Sequence, residues 1–392
     1  MKDKKISVII VGAGIYGAST AVELQMRGHQ VSLFDPGPLP HPEASSTDIS
    51  KVLRMDYGKD EFYTDLMEDS FLRWAAWEKI WERPLYHETG FLMMTNSNWK
   101  AGGFEYDSYQ IVKQRVNAVE EINADTLRTN YPAWNAEVYG QGYFNPKAGW
   151  AESGNVVRWL IEEGQKAGVQ LQEGQSYKDL LDKGSKTIGI QTTEGEQFNA
   201  DWVILAAGAW TPYLLPDLQE AMWVVGQPVL HFRPEKTSVY QPPHFLVWAA
   251  DIARTGWYGF PATEDGILKV ANHGDGIRVD PREEKIVPPK EEERFREFFA
   301  ETFPSLVDAP KIDERLCLYC DTWDGDFWID KDPNREGVII CTGGSGHGFK
   351  FAPMIGEITA DVLENKPNKY AGRFAWRKPG TYKTEDARFR QP

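Results

Sequence analysis

The chain has 392 residues, enough for two packed lobes but short for three independent domains. A formal net charge of −15 excludes a nucleic-acid surface, which needs clustered Lys and Arg to meet phosphates. Three Cys exclude a disulfide framework, and no stretch approaches the ~20 apolar residues of a membrane span, so a cytoplasmic protein is expected.

At the N-terminus, Lys2, Lys4 and Lys5 precede apolar residues 6–10, as in the opening of a secretory signal, but the run breaks at once into glycines. Residues 6–11 are β-branched apart from Ser7 and read as a strand buried on both faces. Gly12-Ala-Gly14-Ile15-Tyr16-Gly17 follows as a complete G-x-G-x-x-G. It opens a helical pattern with Ala18, Ala21, Val22 and Leu24 on one face, stopped by Gly28. A second apolar strand, 31–34, ends on Asp35. In a dinucleotide site Gly12 makes the turn, Gly14 admits the pyrophosphate and Gly17 lets helix pack on strand. The helix N-terminus meets the phosphates, and Asp35, about twenty residues on, accepts from the ribose hydroxyls.

Residues 60–82 predict an amphipathic helix, whereas 84–149 are aromatic, turn-rich and irregular, like an insertion. Ser153 is placed as an N-cap for a helix carrying Val156, Val157, Leu160 and Ile161. Residues 187–193 and 197–198 flank a Glu194-Gly195 turn as in a hairpin, and 201–210 form an apolar strand running into Ala207-Gly208-Ala-Trp210. Short alternating strands fill 223–280, and 288–301 is a charged helix with a solvated face. A buried strand at 338–342 empties into Gly343-Gly344-Ser-Gly346-His347-Gly348-Phe-Lys350, followed by a helix over 353–364 with Pro353 in its first turn. Nucleotide-binding pattern therefore recurs in 1–83, 151–215 and 326–365. Residues 84–150 and 216–325 read as a second lobe, and 366–392 as a basic tail that docks on the body or marks a partner.

Cys317 and Cys320 form a lone C-x-x-C. Zinc would want a second pair, and a thioredoxin-like site would open a helix where 316–319 reads as strand. Cys320 and Cys341 are read as core. No His–carboxylate pair is evident along the chain.

These motifs together resemble the FAD-dependent amine oxidases of the D-amino-acid-oxidase superfamily. The likeness is greatest to the monomeric sarcosine oxidase, N-methyltryptophan oxidase and fructosyl-amino-acid oxidase branch. It runs from about residue 5 to about residue 365, through the glycine fingerprint, Ser45-Ser46 with Lys51-Val-Leu-Arg54, and Tyr258-Gly-Phe-Pro261 with Lys269 and His273. The most specific stretch is Cys317-Leu-Tyr-Cys-Asp-Thr322, with Asp324, Phe327, Ile329 and Asp330, joined to 343–350. The resemblance implies an α/β Rossmann-type FAD domain interleaved with an α+β substrate domain on a mixed, largely antiparallel sheet.

It further implies FAD held by Gly12, Gly14, Ile15, Tyr16, Gly17, Asp35, Ser45, Ser46, Lys51, Ala207, Gly208, Trp210, Gly344, Gly346, His347, Gly348 and Lys350, and joined covalently to Cys317. Arg54 and Lys350 would take the substrate carboxylate, Arg as a planar fork and Lys as a point charge. Lys269 would assist oxygen, with Tyr258 and His273 lining the amine pocket. The implied reaction is oxidation of a small secondary amine such as sarcosine to an imine by a monomeric enzyme, with hydrogen peroxide as the second product. His273 leans toward sarcosine-type substrates; Lys51 and Trp376-Arg377-Lys-Pro379 lean toward fructosyl-amino-acid, pipecolate or saccharopine ones. A dehydrogenase with another electron acceptor and a non-enzymatic flavin-binding protein stay open at this point.

Overall fold

A computed structural model describes residues 5–389. The first buried run is strand β1 (Ser7–Val11), the glycine loop leads into helix α1 (Ile15–Met26), and the chain returns as β2 (Gln30–Asp35). β1 pairs in parallel with β2 on one side and with Trp202–Leu205 on the other, so Ile10 lies between Leu33 and Ile204. The six-stranded sheet continues to Gln170–Glu173 at one edge and through Val338–Thr342 to Trp328–Lys331 at the other. Only Trp328–Lys331 runs antiparallel within it. Helices on this sheet include α1, Ser153–Ala167 and Ala352–Glu364, with Val8, Ile10, Leu24, Leu160 and Ile355 in one apolar core. Burial on both faces explains why β1 lacks polar alternation.

The second lobe is a nine-stranded mixed sheet. Its longest strands, Met222–Phe232 and Lys311–Thr322, pair antiparallel along nearly their full length. Much of the aromatic supply is core here: Trp134, Phe245, Trp248, Phe298, Phe299 and Phe303 belong to one cluster, and Trp248 stacks on Phe298 with ring centroids 5.8 Å apart. Phe298 and Phe299 come from the charged helix Pro289–Thr302, whose apolar face enters this core.

Residues 84–149 are not irregular. They hold the helices Phe104–Arg115 and Ala124–Asn130, and the strands Phe91–Thr95, Glu120–Asn123 and Gln141–Asn145 of the large sheet. Phe91–Thr95 pairs with Val247–Ala250, so its partner lies far along the chain and no local pattern announces the pairing. Ser153 begins its helix but does not cap it; its hydroxyl donates to the Asp48 carbonyl at 2.8 Å, and Glu152 holds the cap position. The 223–280 region opens with an 11-residue strand rather than a short one. The tail folds back: Trp376 meets Trp328 edge-on, Arg377 grips Asp324 and Ala387 is fully buried.

Candidate active site

Where β1 ends, Gly12 takes φ +102°, and a Cβ there would lie 2.6 Å from the Ala206 carbonyl oxygen. A Cβ on Gly17 would lie 1.8 Å from the Gly12 carbonyl oxygen, so neither position tolerates a side chain. At Gly14, by contrast, a Cβ would make only ordinary contact with Ser46 Oγ at 3.5 Å, and as N-cap of α1 Gly14 supplies no side-chain cap. The first N–H groups and the positive dipole end of α1 are therefore turned toward a cavity of about 670 Å³. Ala13 N donates to Asp35 Oδ2 at 2.8 Å, and Gly37 N to Oδ1 at 2.9 Å, so Asp35 braces the loop while lining the cavity. Ser45, Ser46, Lys51, Ala207, Gly208, Trp210, Gly344, Gly346 and Gly348 complete much of the wall. The Tyr16 hydroxyl, on the same wall, is buried without a hydrogen-bond partner. A helix start met only by Ser46 Oγ, which accepts from Ile15 N at 3.3 Å, and a phenol without a partner among the described residues suit a bound dinucleotide.

A second, smaller pocket shares Lys51, Tyr319, Gly346 and Phe349 with the first. Arg54, Tyr258, Phe260, His273, His347, Lys350 and Glu385 also line it. Arg54 is 4% exposed and donates to the Asp56 carbonyl, yet it has no ion-pair partner among the described residues. Lys350 Nζ donates to the Tyr57 hydroxyl and the His347 carbonyl, each at 2.9 Å, and likewise lacks a carboxylate partner. Burial, with Arg54 nearby, depresses the Lys350 ammonium to about 7. The one carboxylate in this wall, Glu385, is engaged by His273 rather than by either cation, so two buried cations face a single anion and favour a second negative group.

His347 sits on this side too. Its Nδ1 is 3.1 Å from the Tyr57 hydroxyl, its Nε2 is 3.1 Å from the Gly325 carbonyl, and burial lowers it to about 4. His273 Nε2 lies 2.5 Å from Glu385 Oε1, a His–carboxylate pair that chain order conceals. Burial pushes the Tyr258 phenol up.

Cys317 lies behind the junction of the two pockets, clustered with Tyr258 and Tyr319; Lys51 Nζ approaches its sulfur at 3.4 Å. Leu318, Tyr319 and Cys320 line the large cavity, whereas Cys317 does not, so Cys320 is a wall residue rather than plain core. Cys341 is core, and burial pushes its thiol up to about 12. Lys269 is 1% exposed and lines neither space; its Nζ meets Asp48 Oδ2 at 2.7 Å and the Ser50 carbonyl at 2.6 Å. Burial brings Lys269 down to about 8 despite Asp48.

The structure therefore gathers Arg54, Tyr258, His273, His347 and Lys350 around one pocket, and the glycine loop, Asp35 and the 344–348 turn around the other. Gly17 serves packing alone. Sequence reasoning missed Tyr57, Asp48 and Glu385. The first two carry no motif, and Glu385 lies in a tail read only as basic.

A profile of the FAD dependent oxidoreductase family, DAO, matches residues 7–362. Monomeric sarcosine oxidase of Bacillus sp. (strain B-0618) is 27% identical over 360 residues, covering 91% of this chain and 91% of that protein. N-methyl-L-tryptophan oxidase of Salmonella arizonae is 29% identical over 377 residues, covering 93% and 96%. Among solved structures, the deglycating enzyme fructosamine oxidase of Aspergillus fumigatus (Amadoriase II) superposes with a TM-score of 0.82 at 26% identity, covering 100% of this chain and 94% of that one.

Proposed function

The chain belongs to the FAD dependent oxidoreductase family, and on that premise we propose that it oxidises a small secondary amine bearing a carboxylate, with oxygen as acceptor. The balance is amine, oxygen and water going to carbonyl compound, primary amine and hydrogen peroxide. The observation that carries this reading is the buried pair Arg54 and Lys350, neither ion-paired among the described residues, in a pocket beside the glycine-loop cavity whose one lining carboxylate, Glu385, is taken by His273. A substrate carboxylate supplies the missing charge, and bidentate contact with Arg54 fixes its orientation. Sarcosine and N-methyl-L-tryptophan, the substrates named for the relatives, are both secondary amines with a carboxylate.

When bound, FAD would supply the acceptor for the electron pair of the C–H bond next to nitrogen and its return to oxygen. The protein's own residues do the rest. The N-terminus of α1 holds the pyrophosphate, and Asp35 keeps lone pairs for ribose hydroxyls. Lys51 stands at the shared wall of the two spaces, and Cys317, beside it, is the residue we assign to a thioether anchor. Tyr258, Phe260 and His273 keep the amine end dry. Lys269, pinned by Asp48, holds a fixed positive charge behind the strand pair as oxygen gains electrons.

The test is spectroscopic. Protein and Cys317→Ala variant are denatured in acid, and N-methyl amino acids, fructosyl amino acids and cyclic imino acids are then added to native samples. We expect yellow colour that stays with the wild-type chain and leaves the variant, and bleaching with peroxide for one substrate class. Absence of bleaching with every amine would overturn the amine-oxidase reading.

A further inference from the structure

The folded-back tail carries Glu385 into the wall of the smaller pocket, where its side chain is 5% exposed. His273 fixes one carboxylate oxygen at 2.5 Å. The other, Oε2, is buried and has no hydrogen-bond partner among the described residues. His347 Nδ1, 3.8 Å from it, is already engaged with the Tyr57 hydroxyl. A buried charged acceptor without a donor is costly, so its persistence calls for a ligand group.

The position is built. Arg388 Nη1 meets Asp321 Oδ1 at 2.6 Å and its Nε donates to the Gly274 carbonyl at 2.9 Å; Phe389 N donates to the His273 carbonyl at 3.0 Å. Burial opposes the charge on Glu385, but His347, His273 and Arg54 hold it well below the usual carboxylate range. The pocket thus contains two cations, Arg54 and Lys350, and one anion. One substrate carboxylate balances that set, which favours an uncharged donor elsewhere on the substrate over a second ammonium.

We propose that Glu385 is a second substrate contact, its free Oε2 accepting a hydrogen bond from a hydroxyl on a monocarboxylic secondary amine. This rests on the amine-oxidase reading above and deepens it by naming the substrate class.

The experiment compares N-methylglycine, N-(2-hydroxyethyl)glycine and N-(2-aminoethyl)glycine on the wild-type holoenzyme and on Glu385→Ala and Glu385→Gln. The kcat/KM ratio of hydroxylated to plain substrate is expected to fall about 10–100-fold in Glu385→Ala, and less in Glu385→Gln, which keeps an acceptor. An equal loss on all three substrates would overturn the proposal and leave Glu385 as a positioning residue for His273. A preference for the ammonium substrate would overturn the uncharged donor. Binding of the inert amides N-acetylglycine and N-hydroxyacetylglycine, followed by the flavin spectrum, gives a readout independent of turnover. If no amine is oxidised but the hydroxylated amide binds more tightly in a Glu385-dependent way, the subsite stands while the reaction assignment fails. If Glu385→Ala does not fold, Glu385→Leu, which fills the space without an acceptor, decides, with an unchanged amide ratio as the refuting result.

Discussion

Arg388→Met tests whether the tail is a structural part of the site. Arg388 and Asp321 are 1% and 2% exposed and meet at 2.6 Å, so the variant leaves a buried carboxylate with no counter-charge. That penalty is about 3–5 kcal/mol when a buried pair loses one member. The tail is terminal, however, and the molecule can relieve the penalty by releasing it and hydrating Asp321. The released population should therefore grow by about 10²–10³, at about 1.4 kcal/mol per tenfold, while the melting temperature moves less than a global loss of that size would require. Hydrogen exchange at Lys383 and Phe389, whose amides donate to the Trp323 and His273 carbonyls, reports release directly. Adding Asp321→Asn removes the orphaned charge and should restore most of the protection. Exchange at these two amides rising less than tenfold, or a double variant no better protected than the single one, would refute the reasoning.

Gly12→Ala places a Cβ 2.6 Å from a carbonyl oxygen at φ +102°, and should cost about 2 kcal/mol or more and strip the flavin; a full complement of flavin absorbance would contradict this. Burial and the Arg54 charge bring Lys350 down to about 7, and a carboxylate binds its charged form. The dissociation constant of an inert carboxylate should thus be flat below about pH 7 and rise by up to about tenfold per unit above it. Lys350→Met should abolish that dependence, and a constant that falls with pH would show the sign to be wrong. Lys269→Met, made with Asp48→Asn so that no buried carboxylate is stranded, should slow reaction of the photoreduced protein with oxygen by about 10²–10³-fold. An unchanged rate would remove Lys269 from the oxygen step.

The glycine loop and its flanking strands were readable because all their determinants lie between residues 6 and 35. β-branched residues, three glycines and one acid act within a single strand–turn–helix unit, where chain neighbours are spatial neighbours. Arg54, Lys350, Tyr258 and His273 could be singled out only by likeness to a family, since one cation or one ring in isolation says little. Residues 84–149 looked formless because their strands find partners such as Val247–Ala250 across the lobe.

By itself, then, the sequence determined a dinucleotide-binding start with its strand–turn–helix–strand order, and only likeness to a family pointed to an anion clamp. Only the tertiary structure decided that Arg54 and Lys350 share one pocket, neither of them ion-paired among the described residues. It alone set Lys269 behind the wall on Asp48, and brought Glu385 onto His273, 112 residues away along the chain. The reason is physical: local backbone geometry follows from neighbouring side chains, whereas a buried charge finds its partner only when distant segments close over it and exclude water.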